Sequence, residues 1–216
     1  MSTPTPHVRI DRAVLERNIA AMQRAAASSG LALRPHAKTH KSLEVARLQL
    51  AAGAVGLTVA TVAEAEVFAE VCKDLFIAYP LWVDDERGGR LRDVLARCVV
   101  AVGVDSVESV QQLAPLADAG LRIRVEVDSG HHRSGVPAAE AVPVASAAVE
   151  AGLAVDGVFT FPGHSYSPDA RAAAAADEHR ELGVARDALT AAGIACPVVS
   201  GGSTPSVEYA RGGVLT

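Results

Sequence analysis

The chain has 216 residues, half of them apolar, and a formal net charge of −5. That length can bury a sizeable core, and the acidic balance with few aromatics removes the electrostatic and stacking case for nucleic acid or an anionic membrane. Cys72, Cys98 and Cys196 are far apart and odd in number, which suits reduced buried thiols and not a disulfide frame. The N-terminus has no signal pattern and no uncharged apolar run reaches membrane-spanning length, so a soluble cytoplasmic protein is expected.

The first predicted element is a helix: Asp11 can cap RAVLERNIAAMQRAAASS, with Gly30 as its stop. Apolar runs then alternate with longer amphipathic ones. Strands are predicted at 31–38, 54–60, 74–80, 99–104, 121–128, 154–162 and 196–201. Helices are predicted in SLEVARLQLAAG, VAEAEVFAEVC, VESVQQLAPLADAG and DARAAAAADEHRELGVARDALTAAG, the last including the alanine-rich run 170–176. Such β–α alternation with short connections means parallel strands and right-handed crossovers, and this many units in a row favour a TIM-type α/β barrel over an open sheet. The first strand is not followed by a Gly-rich dinucleotide fingerprint, which weakens the Rossmann alternative. A full barrel has eight strands; seven are found here, so one is missing or two have been merged.

RPHAKTHK, 34–41, places Arg34, His36, Lys38 and His40 on alternate positions, which share one face of a strand. One reading is that the strand ends near Pro35 and the charges are solvated. A metal site from His36 and His40 is disfavoured, because four strand residues span roughly 13 Å. The sharper reading is an amine poised for covalent chemistry. A lysine among other cations in a desolvated pocket is more often the free, nucleophilic amine, and Lys38 stands at the C-terminal end of the strand, where barrel active sites are built.

In LRIRVEVD, Arg122, Arg124, Glu126 and Asp128 alternate with Ile123, Val125 and Val127. The polar set is expected to face the barrel interior, its carboxylates neutralising Arg34 and other cations; an exposed edge strand is the alternative. In VVSGGSTPS, Gly201 and Gly202 allow close backbone approach. The amides of Gly202, Ser203 and Thr204, with two hydroxyls, can cradle a phosphate at a helix N-terminus. The alternative there is an ordinary turn with Thr204 as N-cap. In FPGHSY, His164 and Tyr166 can flank a flat ring. In DSGHHRSGV, Arg133 reaches toward the barrel mouth, while His131 and His132 read as solvated.

Taken in order, RPHAKTHKSLEVARLQLAAGAVGLTVATVAEAEVFA, DLFIAYPLW, VEVDSGHHRSGV, GHSY and SGGSTPS closely resemble the D-threonine aldolase / D-serine dehydratase-like family, over nearly the whole chain. These are fold-type III pyridoxal-phosphate enzymes with an alanine racemase-type N-terminal barrel. The resemblance implies that Lys38 forms the internal aldimine with pyridoxal 5'-phosphate. It implies that Gly201, Gly202, Ser203 and Thr204 hold the phosphate, that His164 and Tyr166 line the cofactor, and that Arg133 lies near the pyridine nitrogen.

Family enzymes continue into an eighth strand and a C-terminal β-domain that supplies the ligands of a divalent metal. Neither is found before the chain stops at EYARGGVLT, so residues 1–216 are expected to form one incomplete barrel domain. The resemblance also implies a small β-hydroxy D-amino acid as substrate, and either retro-aldol cleavage or β-elimination. Family dimers complete their sites with the partner's C-terminal domain, so a homodimer is expected to be weakened by truncation. A pyridoxal-phosphate carrier without turnover and an inactive remnant are the alternatives.

Overall fold

The computed structural model describes residues 7–216; residues 1–6, the start of the segment read above for a signal pattern, lie outside them. Asp11 caps helix α1 (Arg12–Ser28) by accepting from the Val14 amide, and Gly30 follows its end with φ +72°, as predicted. Five further helices also begin at or beside a polar cap or a proline turn: α2 (Leu43–Ala51, cap Ser42), α3 (Val62–Phe68, cap Thr61), α4 (Asp85–Leu95, cap Asp84), α5 (Val107–Leu113, cap Ser106) and α6 (Ala141–Glu150, after Pro137–Glu140). The alanine-rich run opens the long helix α7 (Arg171–Ala191). Among the described residues, no helix is long and apolar enough to cross a membrane.

Between the helices lie six parallel strands in sequential order: β1 (Leu57–Val59), β2 (Asp74–Ile77), β3 (Val99–Val104), β4 (Arg122–Glu126), β5 (Ala154–Phe159) and β6 (Val198–Ser200). The architecture is an α/β half-barrel of six parallel strands with helices on its outer face. The first predicted strand, 31–38, is shorter and irregular. Pro35 has no amide to give a ladder, so this segment is held to β1 by Val55 N–H to Leu33 O (3.0 Å), Thr58 N–H to Pro35 O (2.8 Å) and Ala37 N–H to Thr58 O (2.8 Å). A single parallel bridge, His36 to Thr58, marks the pairing.

The two faces of the sheet follow the period-2 rule. Leu57, Val59, Leu75, Ile77, Val100, Val102, Ile123, Val125 and Val158 point outward into a core shared with the helices. Phe76, Ala101 and Phe159 form a separate inner cluster, with the Phe76 and Phe159 rings edge-on at 4.8 Å. The predicted alternation in β4 is present: Ile123 and Val125 face the helices, while Arg124 (2% exposed) and Glu126 (4% exposed) are buried on the other face.

The neutralising carboxylates differ from those expected. Arg124 donates from Nε and Nη2 to Asp156 Oδ2 at 2.8 and 2.6 Å, and Arg34 grips both Asp74 oxygens at 2.9 Å. Glu126 instead accepts from the Ser134 hydroxyl (2.8 Å), and Asp128 binds its own loop. The reason is the register of β5. Its pairing with β4 slips between Ile123 and Arg124, opposite Gly157, whose φ is +146°. The slip lets both Asp156 and Phe159 point inward although they are three residues apart. A side chain at Gly157 would run into the carbonyl of Val198.

Removing Asp156 leaves a buried guanidinium without its counter-charge. Asp156→Ala is expected to lose about 3–5 kcal/mol in chemical denaturation, and adding Arg124→Met should restore most of the loss. Equal destabilisation in the single and double variants would contradict this account.

Candidate active site

The chain beyond Ala37 does not continue as a strand. Ala37 is fully buried, Lys41 donates back to Ala37 O (2.9 Å) with φ +46°, and Ser42 starts α2. The column of four cations is therefore broken up. Arg34 is paired with Asp74. His36 accepts from the Lys38 amide at Nδ1 (3.3 Å), and its pKa is pulled down to about 4, by burial first and by the Lys38 charge second. His40 turns away and meets the buried ring of Phe68 edge-on at 6.1 Å; burial lowers its pKa too. Lys38 is left at the C-terminal end of the sheet, with Nζ 5.7 Å from the centre of the Tyr79 ring and 5.6 Å from that of Phe161.

Phe161 is the centre of the mouth. The Arg133 guanidinium lies 4.9 Å over it, the His131 ring is edge-on at 5.6 Å, and Tyr166 is tilted against it at 6.3 Å. His131 is thus half-buried against Phe161, and desolvation lowers its pKa. His132 is exposed, and its ring contacts Asp128 Oδ2 at 2.7 Å. Burial acts to raise the Asp128 pKa, but the His132 and Gly130 amides and the His132 ring outweigh it, and the net shift is downward. This Asp128 clamp shapes the loop that presents Arg133.

A cavity of about 670 Å³ opens beside Lys38, within the size range of small-molecule sites. Lys38, Phe161, Tyr166 and the Gly201–Thr204 loop all line it. Arg133 lines a small neighbouring depression with Phe161 instead. His164 faces α7, its Nε2 3.5 Å from Asp177 Oδ2. Six of the eight predicted site residues therefore share one cavity, and two stand beside it. Among the described residues, no group of three or more His, Cys, Asp or Glu side chains is arranged to hold a metal ion.

The Gly201–Thr204 loop is tied down from below. Gly202 N–H donates to Glu178 Oε1 on α7, and a Cβ at Gly201 would collide with the same carboxyl. Ser203 is the cap of the following turn, accepting from Ser206 N–H, where Thr204 had been the candidate. Its hydroxyl also meets those of Ser165 (2.7 Å) and Ser206 (2.8 Å). The predicted cradle of three amides and two hydroxyls is thus reduced. Ser203 and Thr204 keep amides without a protein acceptor among the described residues, and both residues line the cavity. Reading by motif passed over Phe161, Tyr79 and Glu178. The first two stand at strand ends inside quoted motifs, a detectable signal; the third has none.

The depressed His36 pKa makes a pH prediction. The unfolded imidazole, with its ordinary pKa, takes up a proton before the folded one does, so His36 withdraws stability as pH falls from about 6.5 toward about 4. His36→Gln should flatten the fall of the melting temperature across that window; an unchanged slope would refute the assignment.

The family model for the alanine racemase N-terminal domain matches residues 10–212. The uncharacterized protein Rv1413 of Mycobacterium tuberculosis is 46% identical over 151 residues, which are 68% of this chain and 88% of that one. D-threo-3-hydroxyaspartate dehydratase of Delftia sp. HT23 is 38% identical over 217 residues, 95% of this chain and 56% of the enzyme. Its solved structure superposes with a TM-score of 0.89 at 37% identity, covering 100% of this chain and 59% of that one. The structure of D-threonine aldolase from Filomicrobium marinum gives a TM-score of 0.89 at 32% identity, over 95% and 58% of the two chains. The chain thus spans a little over half the length of these two enzymes. It belongs to the alanine racemase N-terminal domain family, and its relatives there include enzymes of the D-threonine aldolase and hydroxyaspartate dehydratase type.

Proposed function

We propose that this chain holds pyridoxal 5'-phosphate on Lys38 and is the cofactor domain of a lyase acting on β-hydroxy D-amino acids. The observation that carries the reading is the placement of the Lys38 amine between two aromatic rings, on a cavity shared with the Gly201–Thr204 loop. The names of the relatives support the substrate class. The residues fit the group: an amine for its aldehyde carbon, flat rings beside it, and the free amides of Ser203 and Thr204 for its phosphate.

Bound there, the cofactor supplies an electron sink for charge developing at the substrate Cα. The chain's own residues do the rest. Ser203 and Thr204 orient the phosphate end. Tyr79 and Phe161 flank the Lys38 amine with their rings. Lys38 Nζ would be the base that takes or returns a proton at Cα. Arg133 and His164 act from beside the cavity, Arg133 through Phe161. The lyase reaction breaks a bond at Cβ, to Cα in aldol cleavage or to the hydroxyl oxygen in dehydration. The divalent metal expected to activate that hydroxyl is given no ligands by this reading.

A second reading is a holder of pyridoxal phosphate without turnover. The Mycobacterium tuberculosis relative supports it, because 151 matched residues are 88% of that protein, far short of the length of the two enzymes.

The test is the visible spectrum of the purified chain after mixing with pyridoxal phosphate and desalting. Wild type should retain a visible band, borohydride should fix the cofactor on the Lys38 peptide, and Lys38→Ala should retain neither. A colourless wild-type chain would overturn both readings. D-threonine and D-serine assays with added divalent metal then separate them.

A further inference from the structure

One buried carboxyl beneath the site has no part in the reading above. Glu178, on α7, is 1% exposed, accepts the Gly202 amide, and packs so closely under Gly201 that a Cβ there would collide with its carboxyl. Among the described residues, no salt bridge reaches it. The arginines of α7 that make ion pairs turn to Asp177, Glu181 and Asp187.

We propose that Glu178 is a positioning residue that couples the loop's grip on a phosphate group to the uptake of one proton. It rests on the reading that Gly201–Thr204 hold the cofactor phosphate. With phosphate bound, Glu178 is the neutral acid, and its carbonyl oxygen still accepts from Gly202.

The argument is electrostatic. The carboxyl binds one residue of the loop, and the phosphate would bind the next two. Two anions so close in a dry environment repel strongly. Protonating Glu178 removes one charge without moving the loop, since the acid keeps an acceptor for Gly202. The proton comes from solvent, and no other bond changes. Burial already pushes the Glu178 pKa up to about 7, so the proton is readily available near neutral pH. The elements packed on α7 bring Glu140, His164, Asp169 and Glu208, with Glu150 on α6 and Asp156 on β5. Among the described residues, the Gly202 amide and then His179 act on the Glu178 charge, and both favour the ionised form. That leaves the burial of Glu178 as the dominant influence.

The experiment compares the affinity of wild type and Glu178→Gln for pyridoxal phosphate and for pyridoxal, which lacks the phosphate. Titration of the ligand and of Lys38 is common to both proteins and cancels in their ratio. Between about pH 6.5 and about pH 8.5, wild type should weaken for pyridoxal phosphate by about tenfold relative to the variant, with no such change for pyridoxal. A flat ratio, or the same shift with pyridoxal, overturns the proposal while the cofactor reading stands. A wild-type chain that takes up no pyridoxal phosphate overturns both. If Glu178→Gln does not fold, calorimetry of wild type in buffers of different ionisation heat decides the matter. Extra proton uptake with pyridoxal phosphate over pyridoxal supports the coupling, and equal uptake overturns it.

Discussion

The buried pair of Arg124 and Asp156 sets the terms for the interior of this sheet. A guanidinium that is 2% exposed cannot stand without a counter-charge, because desolvation of an unpaired ion costs several kcal/mol or more. Asp156 reaches it because β5 slips its register at Gly157. The same slip turns Phe159 inward, where its ring meets Phe76. Phe76 also carries the Arg124 guanidinium over its other contacts, at 4.6 Å. One irregular residue thus serves the ion pair and the aromatic layer together.

That interior decides what the mouth can be. Arg34 and Arg124 are neutralised by Asp74 and Asp156, toward the N-terminal ends of the strands. Lys38 is carried past them to the C-terminal ends, where the loops after β4, β5 and β6 converge. These loops are braced by hydroxyls. Thr160 Oγ1 donates to Val127 O at 2.6 Å and meets Ser129 at 2.9 Å, while Ser165, Ser203 and Ser206 form a second chain. Rigid strands with braced loops hold a binding group in place better than free loops do. Phe161, at the end of β5, gathers Lys38, Arg133, His131 and Tyr166 around one ring.

How much of this was legible depended on the range of the interaction. Helix signals are local: the Asp11 cap read from the chain located α1, and amphipathic spacing located α2 and α3, whose caps are Ser42 and Thr61. The inward row of β4 was legible because strand alternation is local as well. Its partners were not: Asp74 and Asp156 lie on other strands, and their facing depends on register. The cation column failed for a similar reason. Alternation carries side chains to one face only while the strand lasts, and here it ends at Ala37. Glu178 sits in a charged stretch of α7 that reads as a solvated helix face. Only the packing of the Gly201–Gly202 backbone on that helix buries it.

The sequence by itself determined the order of helices and parallel strands, the family, and the motifs in which Lys38 and Gly201–Thr204 stand. These follow from hydrophobic period, capping chemistry and short contiguous patterns, all of which act over a few residues. Tertiary structure alone decided which carboxylate meets which arginine, that Phe161 is the centre of the mouth, and that the Gly202 amide is held by a buried acid. Those outcomes depend on strand register and on side chains brought together from distant parts of the chain, and neither is written in local spacing.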